Sequence, residues 1–210
     1  SRIMIGSRVS LALSLTIIAL GGGAGVILGL ISGYSGRKVD SLIQRGVEVI
    51  LAMPTILVAL VFVFTVGRSF ESVMFILSPF LAARFTRIVR GETLSVRERD
   101  YVAVAKVIGT PAWLILMKHI LPNVFNTVIV LATLEVGHLI LLEASLSFLG
   151  VGVPPPNPAW GLMVAGGREF ISSAYWIALF PGLAILFAVL SINLFGDWLR
   201  DTLDPRRRQL

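Results

Sequence analysis

Polar positions along this chain are few and clustered, and the apolar runs between them set its architecture. From Val9 to Ser32 the chain passes 24 residues without a charge, enough to cross a hydrocarbon core of about 30 Å at about 1.5 Å per helical residue. Val49 to Val66 and Phe170 to Gly196 are two further uncharged runs, the second long enough to tilt. Ser72 to Ala83 is shorter, but Arg84 and Arg87 at its end can snorkel and so lengthen the helix. Asn123 to Phe148 is apolar yet carries Glu135, His138 and Glu143, so that span has to face protein or a water-filled path. The pattern predicts an all-α polytopic membrane protein whose spans cover residues 9–32, 47–66, 70–90, 123–148 and 170–198.

Composition agrees with the pattern. Of 210 residues, 56% are hydrophobic and 14% charged, against about 45–50% and about 25% in soluble domains. The mean hydropathy is +0.88. The absence of cysteine excludes disulfides and thiolate metal sites. A net charge of +6 would suit a nucleic-acid binder, but its distribution argues for topology instead. Arg37, Lys38 and Arg45, then Arg84, Arg87, Arg90, Arg97, Arg99, Lys106 and Lys118, then Arg200, Arg206, Arg207 and Arg208 all fall on one side, leaving Arg2, Arg8, Arg68 and Arg168 on the other. Positive residues collect in the cytoplasm, so the N-terminal end is expected outside and the C-terminus inside. The basic pI then needs no nucleic acid.

Several local patterns refine this outline. Gly21, Gly25, Gly29 and Gly33 place a strip without side chains on one face of the first span, where another backbone can approach closely. Pro54 and Pro181 lie inside the second and fifth spans and invite kinks. Val151 to Gly161, with Pro154, Pro155, Pro156 and Pro158, reads as a stiff external loop, with Trp160 anchored at the interface. Glu135 and His138 lie one turn apart, with Glu143 farther along. A metal site would want further ligands and no other His remains on that side, so a buried hydrogen-bonded pair or a contact with a polar substrate is expected.

The polar segment of residues 91–122 is the most specific feature. After Arg99-Asp100, the apolar residues Tyr101, Val102, Val104, Ala105 and Ile108 fall at helical spacing, and Gly109 can end the helix. Thr110-Pro111 then opens a second helix, with Thr110 as N-cap and Pro111 at the first position.

This segment resembles the coupling loop of ABC importer permeases, whose pattern is Glu-Ala-Ala, three residues, Gly, then about ten residues to Leu-Pro. Ala105, Gly109, Leu121 and Pro122 match in register, while Ala103 stands in the place of Glu and Val104 in that of Ala. The resemblance narrows to the second permease subunit of dipeptide, oligopeptide and nickel importers. It rests on Gly33-Tyr34-Ser35-Gly36 with Asp40, Arg99-Asp100-Tyr101-Val102, His119-Ile120-Leu121-Pro122-Asn123, Glu143-Ala144-Ser145-Leu146-Ser147-Phe148-Leu149-Gly150, and Gly196-Asp197-Trp198-Leu199-Arg200-Asp201-Thr202-Leu203-Asp204-Pro205.

The resemblance implies a type I ABC importer-like transmembrane domain in the inner membrane of a prokaryote, with a sixth span expected upstream of Ser1. It implies a heterodimer with a homologous permease, two cytoplasmic ABC ATPases carrying ATP and Mg, an external solute-binding protein, and a surrounding of membrane lipid. The chain itself is expected to bind no cofactor and to catalyse no reaction, since no Gly-x-x-x-x-Gly-Lys-Ser/Thr loop occurs in it. ATPase docking is expected at Asp100, Tyr101, Ala103, Val104, Ala105, Lys106, Gly109, Leu121 and Pro122. Ala105→Glu is expected to uncouple ATP hydrolysis from uptake. Glu135, His138 and Glu143 are candidates for the pathway. Two other readings compete: an intramembrane serine protease using Ser35 of Gly33-Tyr34-Ser35-Gly36, and a passive channel. Ser35 next to Arg37-Lys38 would lie at the cytoplasmic interface, far from His138, whereas nucleophilic catalysis needs the base within about 3 Å.

Overall fold

The computed structural model describes residues 2–156 and 158–203. Among them it is built of helices: α1 (Arg2–Ile17), a π-turn (Ile18–Gly22), α2 (Gly23–Tyr34), α3 (Arg37–Ala52), α4 (Thr55–Val66), α5 (Phe70–Arg97), α6 (Asp100–Val107), α7 (Ala112–Ile115), a second π-turn (Leu116–Ile120), α8 (Leu121–Phe148), α9 (Trp160–Gly167), a 3-10 turn (Arg168–Phe170) and α10 (Trp176–Leu203). Four rods are long and apolar enough to span a membrane: Arg2–Tyr34, α5, Ala112–Phe148 and α10. A fifth span results if α3 and α4 are counted together.

α3 and α4 meet at 83°. Pro54 is the cause: it disfavours the helical region for its predecessor, and Met53 is accordingly extended, at ψ 134°. The kink expected within one helix is thus a break between two. Pro181, by contrast, stays inside α10, as does Pro79 inside α5.

α5 is the mast of the fold. The glycine strip of the first rod lies against it in register. A Cβ on Gly21 would stand 2.5 Å from the Ser78 carbonyl, on Gly25 2.5 Å from Phe85 Cβ, on Gly29 2.6 Å from Val89 Cβ, and on Gly33 2.6 Å from Thr93 Cβ. Four-residue steps along the first rod set these glycines against residues 78–93 of α5 in a seam of about three turns. Leu13, Ile17, Leu77, Leu81, Phe85 and Leu146 belong to one buried core cluster that includes part of this seam.

Four features depart from the sequence reading. α5 runs past the expected end at residue 90 to Arg97, so Arg97 is a helical residue rather than part of the loop. Trp160 is not an interfacial anchor: it is 5% exposed, and its indole Nε1 donates to the Ile3 carbonyl at 2.9 Å. Trp160 and Gly161 open helix α9, packed where Gly161 lies on the Ala144 backbone, so the loop ends before them. α10 starts at Trp176, six residues after the uncharged run begins, because 168–170 and the turn after it complete the return from α9. Asn157 of the proline segment, Asp204-Pro205 of the last signature and the cations Arg206, Arg207 and Arg208 lie outside the described residues.

Glu143 shows how the first rod is held to α8. Its carboxylate is 1% exposed and accepts hydrogen bonds from Ser10 Oγ at 3.0 Å and Ser147 Oγ at 2.7 Å. Glu143→Ala would strand two buried hydroxyls, each costing about 1–3 kcal/mol. We expect a lower unfolding midpoint for the variant, and Glu143→Gln, whose amide can accept from one serine hydroxyl and donate to the other, to recover most of the loss; a thermal-denaturation series on the purified protein checks this.

Candidate functional site

Two places combine polar side chains with open surface: the elbow between α5 and α8, and a cleft at mid-height on α5.

At the elbow, α6 ends as the glycine predicted. Gly109 adopts φ +80°, and the paired bonds from Thr110 N to the Ala105 carbonyl (3.0 Å) and Gly109 N to the Lys106 carbonyl (3.1 Å) close the helix in a Schellman arrangement. α7 begins one residue later than expected: Pro111 is the residue before the helix, and no side chain caps it, so Thr110 is not the N-cap. Nor does Leu121-Pro122 break the chain. Ala112 to Phe148 is one continuous rod, and the π-turn Leu116–Ile120 lies just before Pro122, where the missing proline N–H leaves a carbonyl of the preceding turn without its usual donor.

The apolar stripe of α6 has two faces. Val102 and Ala105 are buried with Val89, Val96, Ile115, Ile120 and Val124. They hold the elbow to its own chain, so Ala105, expected on the docking face, faces inward. The outward edge is formed by Val104 (59% exposed), Val107 (87%) and Ile108 (74%), continued by Trp113 (66%). Among the expected docking residues, Asp100, Tyr101, Ala103, Val104, Lys106, Gly109 and Pro122 are exposed, while Leu121 is half-buried. Val107 and Trp113 were missed because helical spacing defines a stripe without saying which side its own chain covers.

Polar contacts fix this edge to the rest of the fold. Lys106 Nζ lies 5.6 Å from the Tyr34 ring centre. Arg97 donates to the Gly33 and Tyr34 carbonyls at 3.3 Å each, capping the end of α2. Asp40 accepts a two-pronged bond from Arg90 at 2.5 and 2.6 Å and a third from Ser32 at 2.6 Å. The Gly33-Tyr34-Ser35-Gly36 turn is therefore part of the scaffold of the elbow. Ser35 has no hydrogen bond to a histidine among the described residues: His119 packs on Tyr101, with ring centres 6.2 Å apart, and His138 lies in the other cleft.

That second cleft is lined by Thr55, Leu77, Phe80, Leu81, Arg84 and Glu135, with His138, Leu139 and Leu142. Arg84 is the fifteenth residue of the 28 in α5, and Glu135 the fifteenth of the 28 in α8. Arg84 is thus not a cation at the end of a span. It sits at half-height, where one of its terminal nitrogens reaches both Glu135 oxygens at 3.3 Å. Glu135 pairs with this arginine rather than with His138, one turn away. Glu143, expected in the same pathway, belongs instead to the packing described above. A separate groove between α3 and α5 is lined by Asp40, Gln44, Glu48, Arg87 and Arg90 together with the apolar Val47 and Leu51.

Comparison with known proteins places the chain in a family. Residues 25–209 match the family described as the binding-protein-dependent transport system inner membrane component. A putative peptide transport system permease protein of Brucella suis is 42% identical over 206 residues, covering 98% of this chain and 69% of that protein. A dipeptide transport system permease protein of Alkalihalophilus pseudofirmus is 41% identical over 208 residues, covering 99% and 68%. Among solved structures, an inward-facing methionine ABC transporter superposes with a TM-score of 0.72 at 15% identity, covering 96% of this chain and 94% of its own, a likeness of fold. The chain is a multi-pass membrane protein that belongs to the inner membrane components of binding-protein-dependent transport systems.

Proposed function

We propose that this chain is the permease subunit of an ATP-driven importer of peptides or related small solutes, nickel complexes among them. It forms the pathway with a second, homologous permease, receives substrate from an external solute-binding protein, and docks cytoplasmic ATPases, which hold the ATP and Mg, through the elbow of residues 91–122. The C-terminus lies on the cytoplasmic side with the elbow. The observation that carries this reading is the exposed apolar edge Val104, Val107, Ile108 and Trp113, fixed to the scaffold and flanked by Arg99, Lys106 and Lys118. Burying such side chains contributes about 1.5–3 kcal/mol each, and a partner groove is the way to bury them. The peptide systems named among the relatives support the substrate class.

ATP binding draws the ATPases together, α6 moves with them, and the rod it is packed on carries the pathway from inward-open to outward-open. Inverting a 1:99 population takes about 5.5 kcal/mol of differential affinity, comparable to a few such anchors. Because the sequence holds no cysteine, Val107→Cys gives a single reactive thiol in this chain. In the complete transporter a short bifunctional reagent is expected to join it to an ATPase. If that thiol instead contacts only lipid headgroups, the docking assignment is wrong.

A further inference from the structure

We propose that Arg84 is a substrate-binding residue that receives the carboxylate of the transported solute at the middle of the membrane pathway. This deepens the importer reading and rests on it. Two arginine–carboxylate pairs on α5 make the argument by contrast. Arg90 spends two nitrogens on two oxygens of Asp40 at 2.5 and 2.6 Å, a closed fork of the kind that holds structure together. Arg84 spends one nitrogen on Glu135, at 3.3 Å to each oxygen, longer than the about 2.7–2.9 Å of a tight charged pair. Among the described residues its other two guanidinium nitrogens donate no hydrogen bond.

Position sharpens the contrast. Arg84 stands at the midpoint of its helix with its side chain 43% exposed, whereas the Glu135 side chain is 12% exposed. A half-open guanidinium at that depth is costly against lipid, so its face belongs to a protein interface or a water-filled path. The space behind the pair, about 20 Å³, admits little more than one water. A ligand therefore meets Arg84 from its exposed side. The planar fork matches a carboxylate, and Glu135, with His138 on the same cleft, keeps the arginine oriented without closing it. The class of ligand is a small solute with a free carboxylate, such as the C-terminal end of a peptide.

The test uses the complete transporter in lipid nanodiscs without the binding protein, and follows binding of a radiolabelled dipeptide in competition with the same dipeptide as free acid or as C-terminal amide. Wild type is expected to bind the free acid at least tenfold more tightly than the amide. Arg84→Gln should erase that ratio in complexes that still co-purify with both ATPases. Absence of saturable binding in wild type, or an unchanged acid-to-amide ratio in Arg84→Gln, overturns the proposal. Arg84→Lys, retaining charge without the fork, should keep part of the preference; if the variant Arg84→Gln fails to assemble, Arg84→Lys showing the full wild-type ratio overturns it as well. In proteoliposomes supplied with the binding protein, ATP-driven uptake that persists with no acid preference removes this inference alone, whereas a complex with neither ATPase activity nor uptake removes the importer reading.

Discussion

Val107→Glu is expected to reduce ATP-driven uptake at least tenfold while leaving the subunit folded. Val107 is 87% exposed, so the change costs the isolated chain little. In the docked complex it forfeits the burial of one valine, about 1.5–3 kcal/mol, and places a carboxylate in an apolar groove where it has no partner, a penalty of similar size or larger. About 1.4 kcal/mol already corresponds to tenfold in an equilibrium. Basal ATPase activity of the separate ATPases should be untouched, and their co-purification with the permease should fall. Ala105→Glu separates two meanings of the same charge. Ala105 is 4% exposed among Val102, Val96 and Ile120, so that change should lower the yield of the subunit itself. Equal yields for the two variants, or undiminished uptake by Val107→Glu, would contradict the assignment of the two faces.

The second large effect is expected at Gly25. A Cβ there would lie 2.5 Å from Phe85 Cβ and 2.6 Å from the Ala82 carbonyl, and neither neighbour is the free end of a flexible chain. Gly25→Val should force α2 and α5 apart at the middle of their seam, at a cost beyond the about 1–3 kcal/mol of ordinary overpacking. The measurable result is loss of folded protein from the membrane fraction. Gly46→Ala on α3 supplies the comparison. Nothing lies within 4 Å of its Cβ position, and helix propensity favours alanine by about 1 kcal/mol, so its yield should be equal or higher. A Gly25→Val protein as abundant and as heat-stable as wild type would show that the seam can open.

How far the sequence reached depends on whether a feature is local. The long apolar runs, the glycine strip and the end of α6 at Gly109 follow from spacing and backbone preference within a few residues, and they were legible. Arg84 was not. At the end of a short apolar run it reads as the edge of a span, and only Glu135, 51 positions away, makes half-height tenable. The two sides of α6 were indistinguishable for the same reason, since Val102 and Ala105 are covered by residues from α5 and α8. Pro54, Pro79 and Pro181 carry the same chemistry, yet only the first breaks a helix into two, and burial does not separate them, since Pro54 and Pro79 are both exposed. The eight residues of α9 are short, apolar and glycine-containing, a composition equally suited to a loop, and their helix shows only once α8 and α10 flank it.

α10 carries a different lesson. Of its 28 residues only Pro181 and Gly196 are buried, the latter against Leu134 and Thr133 of α8. Fifteen of its 28 residues are exposed, so exchange of one bulky aliphatic for another at those positions leaves the subunit's own fold indifferent. Whatever holds those positions to particular identities over generations has to come from neighbours in the assembled machine or from the bilayer, and the rate at which α10 drifts would measure how much of it they grip.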